Sequence, residues 1–137
     1  MFEPKQDFFP FLDACFRITD YYQTRLHDLA QQRQMTAHEA EVLLCVSQLS
    51  GHCTQKELTH ANLRLSPSTI SRTVEVLRQK GYLLTKTNAQ DRRSQFIDLT
   101  PSGLDIARYF FEQINQDLAK LVAEQFYPYA LGHMESI

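Results

Sequence analysis

Apolar positions recur at helical spacing along most of this chain and at strand spacing in one short stretch. From Phe11, the series Phe11, Cys15, Ile18, Tyr22, Leu26 and Leu29 marks one face of a helix lasting to about Gln34. Ahead of it, Met1–Pro10 sets Phe2, Phe8 and Phe9 among charges and reads as an arm that packs on a partner subunit. Thr36 caps a second helix, in which Ala40, Leu43, Leu44, Val46 and Leu49 make a strongly apolar, central element ended by Gly51. Thr54-Gln55-Lys56-Glu57 has the form of a capping box and opens a short third helix through Asn62. Leu58 and Ala61 face inward there, with Leu63 and Leu65 in the turn that follows. Ser66 then caps a fourth helix with Pro67 at its first position, and Gly81 stops it after Lys80. Ile70, Thr73, Val74 and Leu77 take its inner face, leaving Ser68, Ser71, Arg72, Glu75 and Gln79 outward.

Beyond Gly81, Tyr82–Thr87 and Ser94–Leu99 read as two strands joined by a loop that carries Asp91, Arg92 and Arg93. His52–Thr54 adds a short third strand to them. Thr100-Pro101 opens a last helix whose Leu104, Ala107, Phe111, Ile114, Leu118 and Leu121 alternate three and four apart. Phe110 and Val122 widen that seam beyond what a small domain covers. Such a seam serves the first helix or a symmetry mate, and we expect it to serve both. Pro128 is expected to stop the helix. A short helix, a tight turn, a helix with a polar outer face and a two-stranded wing outline a winged helix-turn-helix. The expected fold is mainly α with a small β-wing, in a single domain 1–137. Residues 36–100 form the winged helix-turn-helix, and 8–34 and 101–137 the dimerisation helices.

The length of 137 residues suits one domain. No apolar run approaches a membrane span and the N-terminus lacks signal-peptide order, so no membrane partner is expected. Three cysteines without metal-ligand spacing point to reduced thiols in a cytoplasm, and five scattered histidines to no metal site. The net charge of −2 looks wrong for a nucleic-acid binder until it is divided. Lys56–Arg93 holds eight Lys/Arg against three Asp/Glu, a net +5; the remainder holds six against thirteen, a net −7. A positive segment inside an acidic chain is what local attraction of phosphates requires.

That segment carries the candidate chemistry. An exposed face of hydroxyls with one Arg and one amide suits base edges and phosphates better than burial. Ser66, Ser68, Thr69, Ser71, Arg72 and Gln79 are therefore candidate DNA contacts, with Arg64, Lys86 and Arg92 as phosphate contacts. An Arg at a hairpin tip beside such a helix can enter a minor groove, where narrow A·T segments concentrate negative potential. Catalysis finds no foothold: there is no Gly-rich phosphate loop, G-x-S-x-G elbow or H-E-x-x-H, and no cofactor is expected.

Ile70-Ser71-Arg72, Leu77 through Tyr82, Asp91-Arg92-Arg93 and Leu99-Thr100-Pro101-Ser102-Gly103 together resemble the MarR family of bacterial transcriptional regulators. Its wing signature is D-x-R, a short hydrophobic strand, then L-T-x-x-G. The resemblance implies a homodimer that binds a pseudo-palindromic stretch of double-stranded DNA, as a repressor released by a small effector. It makes Arg93 the wing arginine and Asp91 the acid that steadies it or the turn. It also implies a sixth helix, for which the residues after Pro128 are too few. MarR-like proteins often bind small aromatic effectors, for which Phe11, Cys15, Phe16, Tyr22 and Phe111 are the candidate lining here; dimer core is the competing use of these aromatics. A peroxide-sensing subgroup keeps a reactive cysteine near the start of the first helix, the place held by Cys15. The other alternative is a winged-helix interaction module without DNA binding, suggested by Glu75 and the net acidity.

Overall fold

The computed structural model describes residues 4–62 and 64–135, so the expectations placed on Phe2 and Leu63 lie outside the described residues. The elements follow in the order α1 (Pro4–Gln32), α2 (Ala37–Gln48), β1 (His52–Thr54), α3 (Gln55–Ala61), α4 (Pro67–Gln79), β2 (Leu83–Thr87), β3 (Gln95–Leu99) and α5 (Pro101–Glu135). They fall into two compact units: residues up to Arg25 with those from Glu112 onward, and Leu26 to Phe111. Among the described residues no helix is long and apolar enough to cross a membrane.

The Leu26–Phe111 unit is the winged helix. Its core takes Leu29 from α1, Val42, Leu43 and Val46 from α2, Leu58 from α3, Ile70 and Leu77 from α4, Leu83, Ile97 and Phe110, each at most 1% exposed. Local chemistry sets the ends of these elements. Thr36 and Glu39 close a capping box on α2, the Thr36 Oγ1 accepting the Glu39 N–H at 3.2 Å and the Glu39 carboxylate accepting the Thr36 N–H. Thr54 and Glu57 do the same for α3. Ser66 Oγ accepts the Thr69 N–H at 3.2 Å to start α4, with Pro67 at the first position as expected. At the far end Gly81 adopts φ +83°, and the Gly81 and Tyr82 N–H groups return to the Arg78 and Leu77 carbonyls, both at 3.0 Å. This paired closure uses a left-handed residue that glycine supplies without strain.

The sheet is antiparallel in the order β1-β3-β2, with Cys53 opposite Ile97 and Ile97 opposite Thr85. Each of the two wing strands is one residue shorter than expected. Tyr82 spends its N–H on the α4 cap and its carbonyl on the Thr100 N–H, and the Ser94 N–H is taken by Asp91 O in the turn. The root of the wing is a knot. Thr100 Oγ1 donates to Gly81 O at 2.7 Å and accepts the Gly103 N–H at 3.0 Å, tying the end of α4 to the start of α5. A side chain at Gly103 would fall against the Tyr82 carbonyl, so the L-T-x-x-G pattern has a steric cause.

The other unit comprises the first part of α1 and the last part of α5, paired in opposite directions. Phe11 meets Phe126 with ring centroids 5.2 Å apart, and Arg25 Nε lies 3.3 Å from Asp117 Oδ2. Among the described residues Ala14 and Ile114 are its buried apolar ones. Tyr21 sits beside Asp117; burial and that carboxylate push its phenol pKa up.

Several boundaries differ from the sequence reading. Pro4–Pro10 is helical and continuous with the first helix, and α1 carries Pro10 inside it. Pro128 does not end α5, which continues to Glu135. A proline removes one N–H and crowds one carbonyl, which weakens a helix at that turn without forbidding the turns on either side. On α5, Phe110 is the buried aromatic and Phe111 stands about half exposed, since the buried positions run Ala107, Phe110, Ile114. Ala61, at the last turn of α3, is exposed rather than inward.

Candidate nucleic-acid interface

Helix α4 has two unlike halves. In its first half the hydroxyls of Ser66, Ser68 and Thr69 form a chain, Ser66 Oγ lying 2.9 Å from Thr69 Oγ1 and 3.2 Å from Ser68 Oγ. Ser71 and Arg72 follow, both exposed. A helix N-terminus carries partial positive charge and unsatisfied N–H groups, so this half attracts anions even without Arg72. In the second half Arg78 grips Glu75 with two bonds, Nε to Oε2 at 2.9 Å and Nη2 to Oε1 at 2.6 Å, and Gln79 Nε2 adds a third at 3.3 Å. The hydrogen bonds from Arg78 hold the Glu75 carboxyl below the usual carboxylate range. Glu75 therefore brings no uncompensated negative charge to this face, and part of the Gln79 amide is already engaged.

Three of the eight cations in Lys56–Arg93 are tied to acids in this way. Arg78 pairs with Glu75, Arg64 Nη1 lies 3.3 Å from Glu41 Oε1, and Lys80 Nζ lies 2.6 Å from Glu39 Oε1. The other five, Lys56, Arg72, Lys86, Arg92 and Arg93, are exposed and make no ion pair among the described residues. Arg64 is thus less available to phosphates than its sequence position suggests.

At the wing tip Asp91 acts on the backbone. Its Oδ1 accepts the Arg93 N–H at 3.0 Å and its carbonyl accepts the Ser94 N–H at 3.0 Å, while Asn88 Oδ1 accepts the Gln90 N–H at 3.0 Å. Of the two roles left open for Asp91, the structure shows the turn. The Arg92 and Arg93 side chains stay exposed at the tip. At the other end of the sheet His52 pairs with Asp98 and stacks on Phe96, centroids 5.3 Å apart.

Sequence reasoning missed the two contacts that cross the unit, Glu39 with Lys80 and Glu41 with Arg64. The residues lie far apart in the chain, and of the four only Arg64 was singled out, as a phosphate contact; Glu39 three residues after Thr36 was the available signal of a capping box. An open pocket of about 330 Å³ also went unforeseen; Thr36, His38, Glu39, Thr69, Arg72, Thr73 and Val76 line it.

Of the candidate effector residues, Phe11, Cys15, Phe16 and Tyr22 lie in the terminal unit and Phe111 in the winged-helix unit. Phe11 faces Phe126, Phe16 is 63% exposed, and Cys15 and Tyr22 are half-buried. Burial pushes the Cys53 thiol up to about 12 and raises that of Cys45, so neither is poised as a thiolate. Among the described residues no three His, Cys, Asp or Glu side chains gather as a metal site.

The family model for the winged helix DNA-binding domain matches residues 35–103. The chain belongs to this family, one defined by binding DNA rather than by catalysis, and its fold is that of the MarR regulators. Wild-type apo MarR from E. coli superposes with a TM-score of 0.69 at 20% identity, covering 90% of this chain and 93% of that one. A cysteine-to-serine mutant of E. coli MarR complexed with operator DNA gives 0.66 at 19% identity, covering 99% of both chains. A mutant of S. aureus MepR bound to an oligodeoxyribonucleotide gives 0.61 at 24% identity, covering 91% and 96%. A comparison with curated protein sequences found no match.

Proposed function

We propose that the protein is a cytoplasmic, homodimeric transcriptional regulator that binds a pseudo-palindromic operator and represses until a small aromatic effector releases it. The observation that carries this reading is the distribution of unpaired charge. The hydroxyl-rich first half of α4 and the wing hold Arg72, Lys86, Arg92 and Arg93 exposed, outside every ion pair among the described residues. Ser66, Ser68, Thr69, Ser71 and Arg72 enter the major groove, where N-terminal residues of a recognition helix reach base edges. Arg93 enters the adjacent minor groove, and Lys86 and Arg92 hold phosphates. Two proteins of similar fold, E. coli MarR and S. aureus MepR, have been solved with DNA bound, which supports the same use here.

The homodimer draws support from the apolar surface of the long helices: Phe8, Phe9 and Phe16 on α1 and Val122 on α5 are exposed. A second copy would cover them, making residues 8–34 and 101–137 the dimerisation part of one domain around the winged part 36–100. Phe11, Cys15, Phe16, Tyr22 and Phe111 are the candidate effector contacts, with dimer core as the competing use of the aromatics among them. The alternative of an interaction module without DNA binding rested on Glu75 and the net acidity; Arg78 neutralises Glu75, and the net charge of −2 stays as its ground.

The test is to select DNA fragments from the source genome with the purified protein and titrate the best of them at several salt concentrations. The selected sites should be pseudo-palindromes with half-sites about one helical turn, ~10 bp, apart. Affinity should fall steeply with salt as displaced counterions are recovered, by ~0.9 in log–log slope per phosphate contact. Salt-independent binding, or a monomer on an asymmetric site, would sink the reading.

A further inference from the structure

Lys80 sits where a phosphate contact belongs, at the end of α4 inside the positive segment. Its ammonium points the other way. Nζ donates to Glu39 Oε1 at 2.6 Å and to the Gln34 carbonyl at 3.0 Å. Glu39 is 4% exposed, and its second oxygen accepts the Thr36 N–H that starts α2. Burial alone would raise the Glu39 pKa, yet the bonds from Lys80 and Thr36 pull it below the usual value. Gln34, whose carbonyl takes the second bond from Lys80, holds φ +58°, a conformation L residues adopt rarely. One lysine thus bolts the C-terminal end of α4 to the α1–α2 corner through a buried acid and a left-handed turn.

The packing around it gives that bolt a purpose. Beside the buried face of α4, Thr36, Glu39, Thr69, Arg72, Thr73 and Val76 line the open pocket. Close-packed side chains fix the spacing of two helices, and an unfilled gap does not. Ile70, Val74 and Leu77 seat α4 in the core, and on the open side the Lys80 bolt is the added fixed point at its C-terminal end. Arg72 lies two turns before Lys80, so a shift at the bolt moves the hydroxyls and the guanidinium that face the groove.

We propose that Glu39 and Lys80 are a positioning pair for the recognition helix: they set where α4 presents its base-reading side chains without touching DNA themselves. This rests on the DNA-binding reading above. It separates Lys80 from Arg92 and Arg93, which act on DNA directly.

The two roles for Lys80 predict opposite signs in one experiment, which measures affinity for the selected site and for a scrambled duplex across a salt series. Wild-type, Glu39→Gln, Lys80→Met and the double variant are compared at a temperature where circular dichroism shows all of them folded. For a positioning pair, Glu39→Gln weakens binding to the selected site by roughly tenfold, the size of one good base contact. Scrambled DNA, held by counterion release alone, stays within about twofold. The salt slope is unchanged in each variant, and the double variant is no worse than Lys80→Met. If Lys80 is instead a phosphate contact, Glu39→Gln frees it and binding tightens, while Lys80→Met lowers the slope by ~0.9 per subunit. Either of those results overturns the proposal, as does Glu39→Gln binding like wild-type. A wild-type protein that fails to prefer the selected site over scrambled DNA overturns the DNA-binding reading itself. Glu39→Gln keeps one acceptor oxygen, enough for Lys80 or for Thr36 but not both, and loses the charge, so it breaks the pair with little change in volume if Lys80→Met does not fold.

Discussion

The two halves of α4 carry similar numbers of polar side chains and put them to different work. In the first, Ser68, Ser71 and Arg72 face outward, with Arg72 outside any ion pair among the described residues. In the second, Glu75, Arg78, Gln79 and Lys80 are bound to one another or to α2. A charge held by a neighbouring acid shapes the fold; a charge left open is free to take a phosphate or a base. Counting basic residues therefore overstates the open charge of this segment, and subtracting the paired ones leaves Lys56 on α3, Arg72 on the first half of α4, and the wing.

The contrast is sharpest in stability. Replacing Lys80 with Met strands a buried carboxylate and should cost about 2 kcal/mol, below the full penalty for a buried pair because the lysine is partly exposed. Chemical denaturation reads this directly. The same pair sets an acid dependence. The folded Glu39 pKa is lowered, so its contribution is fully present above the ordinary unfolded value of 4.5 and is lost as pH falls below it through the folded value. Melting temperature should drop across that window in wild-type and less steeply in Glu39→Gln. Equal slopes would show that the pair is not what holds this corner.

On the open half the effect moves to DNA. Arg72→Ala should leave the melting temperature unchanged and cost ~1–3 kcal/mol in binding, with sequence preference relaxed at one position per half-site. A loss spread evenly over all sequences would make Arg72 a phosphate contact instead. Arg93→Ala should weaken binding less and lower the salt slope by ~0.9 per subunit, with little change in major-groove preference. Normal binding by this variant would remove the wing from the mechanism.

The smallest expected effect is at Cys15. A half-buried thiol on α1 should be replaceable: Cys15→Ser keeps DNA binding and effector release, and organic peroxide does not free the wild-type protein from DNA. Peroxide release that vanishes in Cys15→Ser would place the protein with the redox sensors.

Most of the fold is legible in the sequence because its boundaries are chemical. Ser66-Pro67, the Thr36 and Thr54 caps and Gly81 act on backbone groups within four residues, and periodicity orients Ile70, Val74 and Leu77 inward without knowledge of a partner. Prolines mislead for the same reason. Pro10 and Pro128 show their local cost in the sequence but not what continues the helix around them. The site is legible only by residue type. Nothing near Lys80 announces that Glu39 holds it, nor near Arg64 that Glu41 does, since such pairs exist only once α2 lies against them. The choice of Phe110 over Phe111 for burial likewise emerges only once α5 is packed on the winged-helix core.

The knot at the wing root has a consequence for how such proteins diversify. Thr100, Gly81 and Gly103 weld three elements through hydrogen bonds and one steric vacancy, whereas the tip between Thr87 and Gln95 is held by its own Asn88 and Asp91. Root and tip are separable parts. A hairpin of different length or charge spliced in at the tip leaves the weld intact, so the reach of the hairpin is interchangeable while the platform that carries it is not.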